Sequence, residues 1–133
     1  MAKVVSFTNK KGGVGKTTTV VNMAAYCADF GKRMLLIDLD SQGNATTGMG
    51  FSKSALKKSV YNVLIDDEKV SANILPTQVP LLDILPANVD LTGAEVELVY
   101  KRNRDRILKT ALEEVKDKYD YIFIDCPPSL GLL

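Results

Sequence analysis

The order of residue types along this chain predicts an α/β fold built on a mainly parallel sheet. Three observations carry that prediction. A β-rich run, Val4-Val5-Ser6-Phe7, leads at once into a glycine-rich stretch and then a helical pattern. Two uninterrupted apolar runs, Met34-Leu35-Leu36-Ile37 and Tyr121-Ile122-Phe123-Ile124, each end in an aspartate, Asp38 and Asp125. Continuous runs of this kind belong to strands buried on both faces, as in a parallel sheet. Helical periodicity also separates the strands instead of following them as a block.

Taken in order, the first helix is expected over 17–30, with Val20, Val21, Met23, Ala24, Cys27 and Ala28 as its apolar positions and Gly31 as its stop. Strand, loop, helix and strand then make one βαβ unit. Residues 40–52 read as a polar loop punctuated by Gly43, Gly48 and Gly50, and 59–65 as a short helix. A third strand is expected over 81–85, stopped by Pro86. The stretch 91–117 is helical in pattern, as two helices broken near Asn103. Within it Ile107, Leu108, Ala111, Leu112 and Val115 turn inward, and Lys109, Glu113, Glu114 and Lys116 form a solvated face. The fourth strand is the run that ends at Asp125, before Pro127-Pro128.

Composition bounds what such a domain does. The 133 residues suffice for one domain with a modest core. Hydrophobic residues at 46% and charged residues at 25% describe a globular chain rather than a disordered one. Seventeen Lys+Arg against sixteen Asp+Glu leave a net charge of +1, so bulk charge argues for neither nucleic acid nor membrane. There is no histidine, which excludes Ser-His-Asp and Cys-His catalysis, an imidazole base and His-ligated zinc. Cys27 and Cys126 show no CxxC spacing, and reduced thiols, with Cys126 buried, are the expectation. No signal-peptide pattern is seen, and no apolar run approaches the roughly 20 residues of a membrane span. A cytoplasmic protein without a membrane partner is expected. The run Lys101-Arg102-Asn103-Arg104-Asp105-Arg106 reads as a solvated helical face, since Asp105 interrupts its charge.

The chemistry is concentrated in Lys10-Lys11-Gly12-Gly13-Val14-Gly15-Lys16-Thr17-Thr18. A phosphate cradle needs inward-turned backbone N–H groups, and glycine permits the dihedrals and the close approach. The helix that follows adds its positive N-terminal end. Lys16 supplies a point charge to the β- and γ-phosphates, and Thr17 a hydroxyl ligand for Mg²⁺. Residues 11–18 are thus the expected nucleotide-binding segment: Lys11, Gly12, Gly13, Val14, Gly15, Lys16, Thr17 and Thr18. The general pattern G-x-x-x-x-G-K-[ST] wants glycine six residues before Lys16, where this chain has Lys10. It has instead K-G-G-x-G-K-T-T, opened by Lys11.

That variant is the deviant Walker A motif, and here the chain resembles the ParA/MinD family of P-loop ATPases. Two more segments agree. Asp38-Leu39-Asp40-Ser41-Gln42-Gly43-Asn44 is similar to the family's switch I, with Ser41 where proline is usual, and Asp125-Cys126-Pro127-Pro128-Ser129-Leu130 is similar to its switch II. Leu85-Pro86-Ala87-Asn88 resembles the family's third strand and the loop after it. The resemblance implies a P-loop NTPase-type three-layer sandwich, with residues 1–133 the N-terminal part of a single nucleotide-binding domain truncated after the Walker B strand.

By that resemblance, Lys11 reaches across a nucleotide-sandwiched homodimer, Asp40 orients the attacking water, Asp38 lies close to the metal, and Asp125 holds Mg²⁺ through a water. The catalytic set is then Lys11, Lys16 and Asp40, the metal set Thr17, Asp38 and Asp125, and the cofactors ATP/ADP with Mg²⁺. The pattern of switch I favours the Soj-like chromosome-partition branch. That branch implies ATP-driven dimerisation, a ParB-like activating partner, nucleoid association, and non-specific DNA binding through residues further along the family's sequence. The alternatives are a non-catalytic ATP-sensing module, a MinD-like division-site ATPase, and a biosynthetic ATP-using enzyme such as an amidoligase. The resemblance also makes 4–7 a central strand, next to the run ending at Asp125. Its other neighbour comes later in the family's sequence, so one edge of 4–7 is expected to be unpaired. The 133-residue chain is therefore expected to associate across that edge and to be weak or inactive as an ATPase.

Overall fold

The computed structural model describes residues 2–8, 14–40, 42–88 and 104–126. Its elements run β1 (Lys3–Phe7), α1 (Val14–Asp29), β2 (Met34–Asp38), α2 (Asn44–Gly48), α3 (Val60–Ile65), β3 (Leu75–Pro76), β4 (Leu82–Leu85), α4 (Arg104–Leu112) and β5 (Tyr121–Asp125). The sheet order is β1-β5-β2-β4-β3. Every pairing is parallel except that of β3 with β4.

Period-two alternation on the buried strands splits the core into two layers. Leu35, Ile37, Ile122 and Ile124 face α3 and α4, where Val60, Val63, Leu108 and Leu112 meet them. Met34, Leu36, Ile84 and Phe123 face α1 through Val20, Ala24 and Ala28. The expected α/β/α sandwich with a mainly parallel sheet is therefore present. Cys126 is buried, as expected. Among the described residues no helix is long and apolar enough to cross a membrane.

Several boundaries differ from those expected. Helix α1 begins at Val14, inside the glycine-rich stretch, because the first helical turn tolerates glycine where the N–H groups lack intrahelical partners. It ends in a Schellman closure: Gly31 at φ 89° donates to Ala28 O and Lys32 donates to Cys27 O. Of its expected apolar positions Val20, Ala24 and Ala28 are buried, while Met23 is exposed, as are Tyr26 and Phe30. The expected polar loop over 40–52 contains α2, held from outside its own segment as described below. Strand β3 was not expected. It is two residues long, and Pro76 restricts it to a sheet edge. Strand β4 starts at Leu82, since Leu81 adopts φ 69°.

Helix α3 starts where Ser59 Oγ accepts the Tyr61 N–H at 3.1 Å. Of the long pattern over 91–117, residues 91–103 lie outside the described residues, and with them the break near Asn103 and the start of the 101–106 run. What is described is α4, continued by a 3₁₀ turn, Glu113–Val115. Leu108, Leu112 and Val115 are buried, with Ile107 and Ala111 half-buried, as the pattern requires. Glu114 is more than solvated: its two oxygens accept the N–H and the hydroxyl of Ser71.

Strand β1 pairs only with β5 among the described residues, in the register Val4↔Ile122 to Phe7↔Asp125. Val4 is 44% and Val5 38% exposed, so both faces of this edge strand are apolar and open. Edges of that kind recruit further strands. The 133-residue chain is accordingly expected to sediment as an associated species, and Val5→Lys to shift it toward monomer. A monodisperse wild-type monomer would remove the edge as the cause.

Candidate phosphate-binding site

Parallel pairing brings the carboxyl ends of β1, β5 and β2 to one level, since Phe7 is in register with Asp125 and Asp125 with Asp38. Helix α1 starts at that same edge. Its first turn holds Gly15, Lys16 and Thr17, with Thr18 following; the N–H groups of a first turn have no partner within the helix and carry its positive end. Lys11, Gly12 and Gly13 lie outside the described residues, as do Ser41 and residues 127–133. Of Val14 the backbone alone is described.

Three expected site residues meet directly. Lys16 Nζ lies 2.5 Å from Asp125 Oδ1 and donates to the Cys126 carbonyl. Thr17 Oγ1 donates to Asp125 Oδ2 at 3.0 Å. Asp125 is fully buried and Thr17 nearly so. The Lys16 ammonium is thus the cation against the buried Asp125 Oδ1, and no further donor to that oxygen is found among the described residues.

This donor set fits Mg²⁺. The metal prefers hard oxygens and keeps several waters and phosphate oxygens, so one hydroxyl and one carboxylate suffice from the protein. Gly15 is exposed, and a Cβ built on it would meet nothing within 4 Å. Packing within the protein therefore leaves this position open for close approach of a ligand to the backbone.

Asp38 ends β2, and Asp40 sits on the loop that follows it. Asp38 is fully buried, and burial pushes its carboxyl up to about 6, with the Asp125 charge adding to the rise and the hydrogen bonds from Thr46 and Asp40 opposing it. Asp38 Oδ1 accepts the Asp40 N–H at 3.1 Å; Oδ2 accepts the Thr46 N–H at 2.9 Å and the Thr46 hydroxyl at 2.7 Å. Asp40 is 9% exposed, and its Oδ1 accepts the Gln42 N–H at 3.0 Å, an Asx-type turn. Thr46 was missed from the sequence. Nothing local distinguishes its hydroxyl from that of Thr47, because its partners are 8 and 41 residues away.

A family model described as an AAA domain matches residues 2–133. The chain belongs to that family. The resemblance to ParA/MinD-type P-loop ATPases, expected from residues 10–18, is borne out by relatives over the full chain. The sporulation initiation inhibitor protein Soj of Bacillus subtilis (strain 168) is 56% identical over 133 residues, 100% of this chain and 53% of Soj. The chromosome partitioning protein ParA of Myxococcus xanthus is 47% identical over 133 residues, 100% of this chain and 47% of that protein. Among solved structures, the cobyrinic acid a,c-diamide synthase from Mycobacterium smegmatis with bound ADP and magnesium superposes with a TM-score of 0.91 at 43% identity. That match covers 98% of this chain and 53% of the synthase. The chain thus spans about half the length of the curated relatives it matches.

Proposed function

We propose that this chain is the phosphate-binding part of an ATP-hydrolysing dimerisation switch for chromosome or plasmid partition. The single observation that carries the reading is the contact of Lys16 and Thr17, in the first turn of α1, with the buried Asp125 at the end of β5. The resemblance to partition proteins named Soj and ParA supports the biological context.

In this reading the loop amides and Lys16 bind the β- and γ-phosphates of ATP, and Thr17 with Asp125 holds Mg²⁺. Mg²⁺ held there would supply positive charge to the phosphate oxygens. Asp40 orients the attacking water, and Lys11 reaches the phosphates of a second copy, which makes dimerisation depend on ATP. Catalysis is electrostatic and positional, with no covalent protein intermediate. A ParB-like activator and non-specific DNA complete the proposed partners. Nucleoid association would follow from the DNA contact.

Full-length protein should turn over ATP in a Mg²⁺-dependent way and double its mass in sedimentation when ATP is added. Lys11→Ala should abolish the mass change. ATP binding without turnover would favour the sensing module. The likeness to a protein named cobyrinic acid a,c-diamide synthase gives one specific observation for a biosynthetic enzyme. Turnover that required a carboxylic-acid co-substrate, and no ATP-dependent dimer, would favour that second reading.

A further inference from the structure

Asp38 and Asp40 are two residues apart, yet their carboxylates serve different ends. Asp40 lies on the loop and keeps one oxygen outside the hydrogen bonds described for it. Asp38 spends both oxygens inside the fold on three N–H and O–H donors. A carboxylate has about four lone-pair sites, so little of Asp38 remains for a metal.

The Thr46 hydroxyl extends this link. It donates to Asp38 Oδ2 at 2.7 Å and accepts the Ala87 N–H at 2.9 Å, just past the end of β4. Thr46 is fully buried. One hydroxyl therefore ties α2 to the ends of two sheet strands, β2 and β4. Helix α2 needs that tie. Its N-cap is Gly43 at φ 65°, with no side-chain cap, and Thr46 is its third residue. Asp38 supplies from the strand end the acceptor that a Ser or Asp cap would otherwise provide. Between these anchored points run Leu39 to Ala45, with Asp40 among them. The Asp40 N–H is pinned to Asp38, and the Gly43 N–H to the Asp40 carbonyl at 2.8 Å.

We propose that Asp38 and Thr46 are positioning residues for hydrolysis: the Asp38–Thr46–Ala87 link holds the loop so that Asp40 presents its carboxylate in one geometry. This rests on the ATPase reading above. A link that only stabilised α2 would affect melting and leave turnover alone. A metal-ligand role for Asp38 would shift the Mg²⁺ requirement. A positioning role lowers kcat while leaving ATP and Mg²⁺ affinity in place, since the phosphate cradle and the Thr17–Asp125 pair are untouched.

The test uses full-length protein with three variants. Thr46→Val is isosteric and removes both hydroxyl bonds. Thr46→Ser restores them. Asp38→Asn keeps one acceptor and removes the like charge beside Asp125, so it guards against a Thr46→Val that does not fold. Misplacing a reacting group by about 1 Å costs roughly 100-fold in rate. Thr46→Val and Asp38→Asn are each expected to lower kcat by about 10- to 100-fold, with ATP Kd and Mg²⁺ half-saturation within about threefold of wild type. Thr46→Ser should recover most of the rate. The double variant should lose no more than the worse single one, because both act through one link. Wild-type kcat in either folded variant overturns the proposal, as does a shifted Mg²⁺ requirement in Asp38→Asn. A wild-type protein that turns over no ATP overturns the ATPase reading itself, and the positioning role falls with it.

Discussion

Lys16→Ala is expected to weaken ATP binding by about 10- to 100-fold in calorimetry on full-length protein. The expected loss follows from removing a charge-assisted contact to phosphate, worth about 1.5–3 kcal/mol. The structure adds a second consequence. Lys16 is the ion-pair partner of Asp125, whose side chain is fully buried. Removing one partner of a buried pair costs about 3–5 kcal/mol, because the remaining charge is left uncompensated. The apo variant should therefore melt earlier than wild type. Mg²⁺ should recover part of that loss, since the Asp125 oxygen freed of its ammonium is a metal ligand in this reading. ATP affinity equal to wild type would overturn the phosphate-loop assignment, and an unchanged melting temperature would show the ion pair to be energetically silent.

Asp40→Asn should lower ATP turnover by about 10²- to 10⁴-fold, the range for a side chain that handles the reacting water. The amide oxygen of Asn can still accept the Gln42 N–H, now made to Asp40 Oδ1 at 3.0 Å, so the loop is kept while the carboxylate is lost. ATP affinity should stay within a few-fold of wild type, and the ATP-bound dimer should persist longer because nothing discharges it. Lys11→Ala is expected to do the opposite, losing the dimer while the Asp40 loop stays intact. Single-turnover kinetics beside sedimentation separate the two. A variant at Asp40 with wild-type turnover would assign the water to another group.

Much of the site was legible in the residues because its logic is local. A phosphate loop needs glycine, lysine and a hydroxyl in adjacent positions at a strand–helix junction, and all of them lie within residues 12–18. Asp125 was legible for a related reason: an aspartate that ends a fully apolar strand is carried to the sheet's carboxyl edge by the strand itself. Parallel pairing then makes it level with Asp38.

What the residues alone indicated was the alternation of strands and amphipathic helices, with Lys16 and Thr17 as the phosphate-loop groups; Asp38, Asp40 and Asp125 were expected through the resemblance of their segments to the family's switch regions and Walker B strand. Backbone propensity and side-chain period are properties of neighbours in the chain, which is why the α/β fold class was legible from them. Tertiary structure decided the rest. It allotted Lys16 to Asp125, Thr46 to both Asp38 and Ala87, and Ser71 to Glu114. It also turned part of an expected loop into α2, whose acceptor comes from a strand end outside its own segment. The physical reason is that a buried polar group takes whichever partner the sheet order brings within about 3 Å. The strand order β1-β5-β2-β4-β3 sets those meetings across separations of 8 to 109 residues, from Asp38–Thr46 to Lys16–Asp125, where no local pattern reaches.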